Sequence, residues 1–145
     1  MAMRYRPLQV SDHEQLMQLW QSCPGLSLRD SDSIEGLDRY LRRNPGLSFV
    51  AEQEGAIVGS LMAGHDGRRG YIQHLAVAPL LRQQGVASRL VEHCLQALKD
   101  EGIAKSHVHV QDSNSLGRDF WSRRGWVHRA EIEMYSFING DNDNV

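Results

Sequence analysis

The residues between 70 and 102 have the spacing of an anion-binding site. The run from Gly70 to Val77 predicts a strand, which leads through Pro79 into Arg82 and its neighbours. An amphipathic stretch follows and ends at Gly102, and its apolar stripe consists of Val86, Ala87, Leu90, Val91, Cys94, Leu95 and Leu98. We therefore predict a strand, a short loop and a helix of about four turns.

The start of that helix is suited to hold a phosphate. Backbone N–H groups in the first turn of a helix have no intrahelical partner, and the helix dipole adds partial positive charge there. Gly85 and Ala87 leave room for a close approach, Arg82 adds a cation, and Ser88 adds a hydroxyl donor. The alternative is a glycine needed only for its backbone angles, because a short glycine motif is weak evidence by itself.

The motif Arg82-x-x-Gly85-x-Ala87 follows the strand residues Leu75, Ala76 and Val77, and in this setting it resembles the acyl-CoA loop of the GNAT superfamily of N-acyltransferases. The usual form of that loop is Arg/Gln-x-x-Gly-x-Gly/Ala. A second segment of the same family is similar to Asn114, Phe120, Trp121, Gly125 and Trp126. The resemblance implies transfer of an acetyl group from acetyl-CoA, as co-substrate, to a primary amine of a small molecule or a peptide N-terminus.

The resemblance also implies which residues bind acetyl-CoA. Backbone groups of residues 75–77 would hold the pantetheine arm and the acetyl carbonyl, while Asn114 would either hold the pantetheine or cap a helix. The implied cofactor-binding residues are Leu75, Ala76, Val77, Arg82, Gln83, Gln84, Gly85, Val86, Ala87, Ser88, Asn114 and Trp121.

Acetylation of an amine by a thioester needs a neutral amine, and therefore a base. His109 is the first candidate, because it lies five residues before Asn114, where some family members that acetylate protein N-termini carry a glutamate base. His74 is the second, and Glu52 and Asp112 are further candidates. A histidine with its ordinary pKa of about 6.5 suits this role. The alternative for His109 is a strand histidine that faces solvent or a polar partner.

The chain departs from the family pattern at the proton donor for the CoA thiolate. Many relatives carry a tyrosine seven residues after the asparagine, where this chain has Trp121. An indole N–H donates hydrogen bonds but supplies no proton at ordinary pH. Either the thiolate leaves without a side-chain acid, or Tyr71, Tyr40 or water supplies the proton. The missing tyrosine keeps open a second hypothesis, a non-catalytic acyl-CoA-binding regulatory domain, and a partner-binding α/β domain is a third.

The remaining elements are predicted from turn residues and hydrophobic periodicity. We expect an early strand at residues 4–7, two helices that carry Trp20 and Leu37, and a hairpin that turns at Glu54 and Gly55. Further strands are expected at residues 106–110, 126–129 and 133–137, with a helix ending near Arg124 between the first two. The predicted fold is a GNAT-like three-layer α/β fold with a mixed, mostly antiparallel central sheet flanked by helices. The two early helices and the loop at residues 64–70 would set acceptor specificity.

The length, composition and net charge of the chain predict its domain organisation and exclude some classes of function. At 145 residues, 41% of them hydrophobic, the chain predicts a single domain over residues 1–138 and a flexible polar tail over residues 139–145. No apolar run approaches the about 20 residues of a membrane span, no signal peptide is apparent, and we expect a cytoplasmic protein. A net charge of −2 argues against nucleic-acid binding. We expect reduced cysteines, no metal site, and a monomer or homodimer.

Overall fold

The structure, a computed structural model, describes residues 2–145, which divide into a first unit that ends at Val108 and a second that runs from His109 to Val145. The strands of the first unit are β1 (Arg4–Pro7), β2 (Phe49–Gln53), β3 (Ala56–His65), β4 (Gly70–Val77) and β5 (Ser106–Val108). Its helices are α1 (His13–Gln21), α2 (Ile34–Arg43) and α3 (Val86–Asp100), with 3₁₀ turns at Val10–Asp12, Asp30–Asp32 and Pro79–Leu81. The second unit contains α4 (Ser115–Arg123).

The described strands form one sheet in the order β1-β2-β3-β4-β5. Neighbouring strands are antiparallel except β4 and β5, which are parallel. The β2–β3 hairpin turns at Glu54 and Gly55, whose φ angles of 52° and 80° are both left-handed, as a tight two-residue hairpin requires. The predicted hairpin and the predicted mixed, mostly antiparallel sheet are confirmed.

Helices cover both faces of this sheet. A Cβ built on Gly59 of β3 would lie 3.1 Å from Val86 and 3.2 Å from Leu90, so the missing side chain lets α3 approach the strand closely. The next residue, Ser60, contacts Trp20 of α1 instead. Since successive strand residues point to opposite faces, α1 and α3 lie on opposite sides of the sheet. This is the three-layer arrangement that the sequence predicts.

Most of the predicted apolar stripe of α3 is buried. Val86, Leu90, Val91, Cys94 and Leu98 are buried, whereas Ala87 and Leu95 are half-buried. Burial raises the pKa of the Cys94 thiol to about 12, so Cys94 is an inert core residue rather than a nucleophile.

The predictions for the C-terminal part need correction. Residues 126–129 and 133–137 were expected to be strands, but they adopt no regular structure and pair with no strand in the described part of the chain. Their apolar side chains Val127, Met134, Tyr135 and Phe137 are exposed. Alternation in sequence predicts which side chains would share a face, whereas a strand also needs a hydrogen-bonded neighbour. The strand expected at 106–110 is likewise shorter and ends at Val108.

Candidate active site

An extra residue in β4 forms a β-bulge next to the residues predicted to hold the thioester. Ser60 of β3 pairs with Ala76, and Met62 pairs with Gln73, so two steps along β3 correspond to three along β4. His74 lies in this bulge with a left-handed φ of 54°, which is uncommon for any residue other than glycine. Bulges re-aim side chains and occur often beside active sites.

The imidazole of His74 is held from several directions. Its Nε2 lies 2.7 Å from Oδ1 of Asp32, and its ring contacts the indole of Trp20 edge-on, with the centroids 4.9 Å apart. The backbone carbonyl of His74 accepts a hydrogen bond of 3.2 Å from the Ser60 hydroxyl, which itself accepts one of 2.9 Å from Trp20 Nε1. Side chain and backbone of His74 are therefore both fixed.

Asp32, the partner of His74, ends the 3₁₀ turn before α2. Its Oδ2 accepts a hydrogen bond of 2.9 Å from the backbone N–H of Arg29, and its carbonyl oxygen lies 2.8 Å from Nε2 of His13. Burial acts to raise the pKa of Asp32, but the hydrogen bonds from His74 and from Arg29 outweigh it, and the pKa is lowered. Asp32 is thus an ionised, hydrogen-bonded carboxylate at neutral pH.

Asp32 is not among the candidate site residues that the sequence indicates, and the cap of α2 is the next residue, Ser33, whose hydroxyl accepts the Gly36 N–H. No local pattern connects Asp32 with His74, because 42 positions separate them.

Beyond the bulge, β4 has a free edge. β5 pairs with Gly70, Tyr71 and Ile72 alone, so residues 75–77 have no strand neighbour on that side in the described part of the chain. The Val77 carbonyl at the end of the strand accepts a hydrogen bond of 3.2 Å from Nε of Arg82. This free edge is where an extended amide chain could add to the sheet.

The loop from Arg82 to Ser88 has the geometry of a helix-terminal anion site. Gly85 precedes α3 with a left-handed φ of 82°, and Gln83 is also left-handed, at 65°. The first hydrogen bond of α3 runs from the Arg89 N–H to the Gly85 carbonyl, over 3.1 Å. The N–H groups of Val86 and Ala87 lie before that bond and are oriented out of the helix end, as an anion site requires.

The first unit thus contains His74 together with residues 75–77 and the loop. The second unit contains the remaining candidates. His109 is exposed at its start. The Asn114 side chain accepts a 2.9 Å hydrogen bond from the Gly117 N–H and caps α4, as one of the two predicted roles requires. Trp121 is buried, and its ring lies 5.0 Å from that of Phe120 and 4.6 Å from that of Trp126.

A cleft opens between α2 and the β3–β4 hairpin. It has a volume of about 250 Å³ and is lined by Tyr40, Asn44, Gly64, His65, Asp66, Tyr71 and Gln73. Gln73, which lines this cleft, directly precedes His74 in β4. The Tyr40 hydroxyl is shielded from solvent and has no well-aligned hydrogen-bond partner among the described residues. Burial raises the pKa of Tyr40 to about 12, against the opposing effect of the neighbouring Gln73 side chain.

The chain belongs to the GNAT family of acetyltransferases, since the model of the Acetyltransferase (GNAT) family matches residues 13–126. It is 37% identical over 112 residues to acetyltransferase YE1169 of Yersinia enterocolitica, which covers 77% of this chain and 79% of that protein. Family membership confirms the predicted superfamily and acetyl-CoA as the co-substrate.

Solved structures show the same fold. Ard1 from Thermoplasma volcanium aligns with a TM-score of 0.79 at 20% identity, over 90% of this chain and 86% of that one. The PaiA N-acetyltransferase of Thermoplasma acidophilum, solved in complex with coenzyme A, aligns with a TM-score of 0.76 at 18% identity, over 86% and 89% of the two chains. The predicted fold class is therefore confirmed. None of the helices formed by residues 2–145 is long and apolar enough to cross a membrane.

Proposed function

We propose that this acetyltransferase transfers the acetyl group of acetyl-CoA to the nitrogen of a primary amine, carried by a small molecule or a peptide N-terminus. The observation that carries this proposal is the bulge in β4, where a histidine paired with a carboxylate directly precedes the strand residues 75–77. An aliphatic amine is protonated at neutral pH, so a base beside the thioester is what N-acetylation requires.

The first unit offers two features suited to acetyl-CoA. The unpaired edge at residues 75–77 suits the amide groups of the pantetheine arm, because those groups can bond to backbone as another strand would. The helix end at Gly85, Val86 and Ala87 suits the pyrophosphate. Nε of Arg82 donates to the Val77 carbonyl, which holds this cation at the end of the strand edge. Asn114 and Trp121 remain predicted contacts of the cofactor.

We assign the role of base to His74 in preference to His109. The His74 ring is oriented by Asp32 and Trp20, whereas His109 is exposed and has no hydrogen bond among the described residues. A fixed base transfers a proton faster than a mobile one, since less orientation has to be achieved in the transition state.

His74 takes one proton from the ammonium group of the acceptor, directly or through one water. Acetyl-CoA supplies an activated acyl group, whose C–S bond breaks as the C–N bond forms, and the nitrogen's second proton ends on the departing sulfur. His74 then returns its proton to solvent. The thiolate is a good enough leaving group that Trp121 need not act as an acid, in keeping with its packing against Phe120 and Trp126.

We propose that the acceptor enters through the cleft beside Tyr40. Its walls are two tyrosines and two side-chain amides, and its carboxylate, Asp66, already accepts hydrogen bonds from the backbone N–H groups of Arg68 and Arg69. Such a surface favours a polar acceptor with hydroxyl or carbonyl groups near its amine. We also propose a cytoplasmic site of action, which the two free, buried cysteines support.

The test is release of free thiol from acetyl-CoA by the purified protein in the presence of a panel of primary amines. Replacement of His74 with Gln should lower the turnover number by roughly 10²-fold or more. His93→Gln is the matched control, because that ring also makes two aromatic contacts, with Tyr5 and Phe49, but lies away from the site. Stabilisation by CoA without thiol release from any amine would instead support the regulatory-domain hypothesis.

A further inference from the structure

Two aspartates of the first unit occupy matching turns. The 3₁₀ turns Val10–Asp12 and Asp30–Asp32 each end in a buried aspartate. In each, Oδ2 of that aspartate accepts a hydrogen bond from the backbone N–H three residues earlier, over 2.8 Å from Gln9 and 2.9 Å from Arg29. Each carboxylate therefore stabilises the turn that precedes a helix in the same way.

The second carboxylate oxygen distinguishes the two turns. Asp12 uses it to bind Arg6, whose Nη2 lies 2.9 Å from Oδ1, so this turn is tied to the edge strand β1. Asp32 uses it to bind His74, whose Nε2 lies 2.7 Å from Oδ1. The Arg6 guanidinium has no role in the proposed reaction, so its orientation does not matter for catalysis. The His74 imidazole is the proposed base, so the hydrogen bond to Asp32 orients a reacting group in addition to stabilising the turn.

We propose that Asp32 is a positioning residue that holds His74 as the Nε2–H tautomer and so leaves Nδ1 as the atom that accepts the proton of the acceptor amine. The proposal rests on the proposed role of His74 as the base. A carboxylate only accepts hydrogen bonds, so the shared hydrogen must sit on Nε2. A neutral imidazole then has its lone pair on Nδ1. Within residues 2–145, which the structure describes, the ring of His74 makes its hydrogen bond through Nε2 alone, which leaves Nδ1 available to the amine.

The surroundings of His74 add few other charges. From the turn before α2 it faces Asp32, and from α1 it faces the neutral Trp20, while His13 of α1 lies behind Asp32 at that residue's carbonyl. From β3, the neutral Ser60 hydroxyl donates a hydrogen bond to the backbone carbonyl of His74. Asp32 is therefore the charged group that decides which nitrogen of the ring carries the hydrogen.

The decisive variant is Asp32→Asn. Its amide oxygen can still accept the Arg29 N–H, but its NH₂ group then points at Nε2 and must donate to it. This moves the ring hydrogen to Nδ1, where it blocks acceptance of the amine proton. The turnover number should fall by roughly 10²-fold or more, while the KM for acetyl-CoA stays near that of the parent.

Asp12→Asn is the matched control, since it makes the same chemical change in the same kind of turn. It should cost stability, through the lost pairing with Arg6, and leave the turnover number close to the parent value. Asp32→Glu keeps a carboxylate and should recover part of the activity that Asp32→Asn loses. A turnover number that falls equally in Asp12→Asn and Asp32→Asn would overturn the positioning role.

The tautomer itself is measured by ¹⁵N NMR of the His74 ring at pH 9, where an ordinary imidazole is neutral. The parent and Asp12→Asn should show hydrogen on Nε2, and Asp32→Asn should show it on Nδ1. Hydrogen on Nδ1 in the parent, or an unchanged tautomer in Asp32→Asn, would overturn the proposal, and this test requires no activity assay. Full activity of His74→Gln would contradict the proposed role of His74 as the base. That result is separate from the NMR measurement, which tests the tautomer independently of activity.

Discussion

The indole of Trp20 donates a 2.9 Å hydrogen bond to the Ser60 hydroxyl, and both side chains are almost fully buried. Because Ser60 in turn donates to the carbonyl of His74, this pair connects the interior of α1 to the bulge of β4. The left-handed backbone of His74 is thus supported by a hydrogen-bond chain that starts in the core.

Ser60→Ala should therefore affect both stability and rate. The substitution leaves the buried Trp20 N–H without its partner, which costs about 1–3 kcal/mol of unfolding free energy. Urea denaturation measures this loss, and steady-state kinetics should show a lower turnover number as the bulge loses its support. Ser48→Ala is the matched control, because the Ser48 hydroxyl is equally buried but bonds the backbone of Ala63. A comparable stability loss with normal turnover is expected for Ser48→Ala.

Gly85→Val should abolish CoA-induced stabilisation. No atom lies within 4 Å of a Cβ built on Gly85, so a side chain fits sterically, but it would occupy the space that a phosphate needs. The left-handed φ of 82° adds roughly 1–2 kcal/mol of backbone strain.

Gly102→Val separates these two effects. Gly102 also lies at an end of α3, has a φ of 84° and has open space around its Cβ position. Both variants should lose similar intrinsic stability, whereas only Gly102→Val should keep the rise in melting temperature on adding CoA. Equal CoA responses would rule out the loop as the phosphate site.

Tyr40→Phe tests the acceptor cleft. Because burial raises the pKa of Tyr40 to about 12, its hydroxyl is a neutral hydrogen-bond donor throughout the physiological pH range. Loss of this donor should raise the KM for a polar acceptor about tenfold and leave the KM for acetyl-CoA unchanged. The free protein should lose little stability, since the hydroxyl has no well-aligned partner in the part of the chain that the structure describes. A parent-like acceptor KM would exclude this cleft as the entry route.

The acid stability of the protein should reflect Asp32. Although burial opposes it, the pKa of Asp32 is lowered by the hydrogen bonds from His74 and Arg29. A carboxylate whose pKa is lower in the folded protein stabilises it above the ordinary value of about 3.9, and this contribution is lost as the pH falls through the folded value. Urea titrations should show the parent more stable than Asp32→Asn at pH 6, with the difference narrowing below about pH 4. A difference that widens on acidification would contradict this assignment.

Trp121→Tyr distinguishes an enzyme without a side-chain acid from one that has lost its acid. Since Trp121 packs against Phe120 and Trp126, we expect Trp121→Phe to keep most of the activity and Trp121→Tyr to gain only a modest factor. The measurement is the turnover number together with CoA affinity. A gain in Trp121→Tyr that approaches the 10²- to 10⁴-fold range of general acid catalysis would favour the regulatory-domain hypothesis.

The sequence by itself determined the elements that depend on near neighbours in the chain. The stripe of α3 follows from a period of three to four residues, and the turn at Glu54 and Gly55 follows from the glycine, which accepts left-handed backbone. The loop motif around Gly85 belongs with these, because a helix terminus exposes its N–H groups wherever the helix starts. These features needed no knowledge of what packs against them.

Tertiary structure alone decided the bulge at His74 and the pairing with Asp32. Bulges arise from the register between two strands, and a hydrogen bond between residues 42 positions apart depends on how a loop docks on a sheet. The same reason explains the error at residues 126–137. Their alternating pattern is compatible with a strand. A strand forms only where the backbone of another strand supplies its hydrogen bonds, however, and the local sequence does not specify that partner.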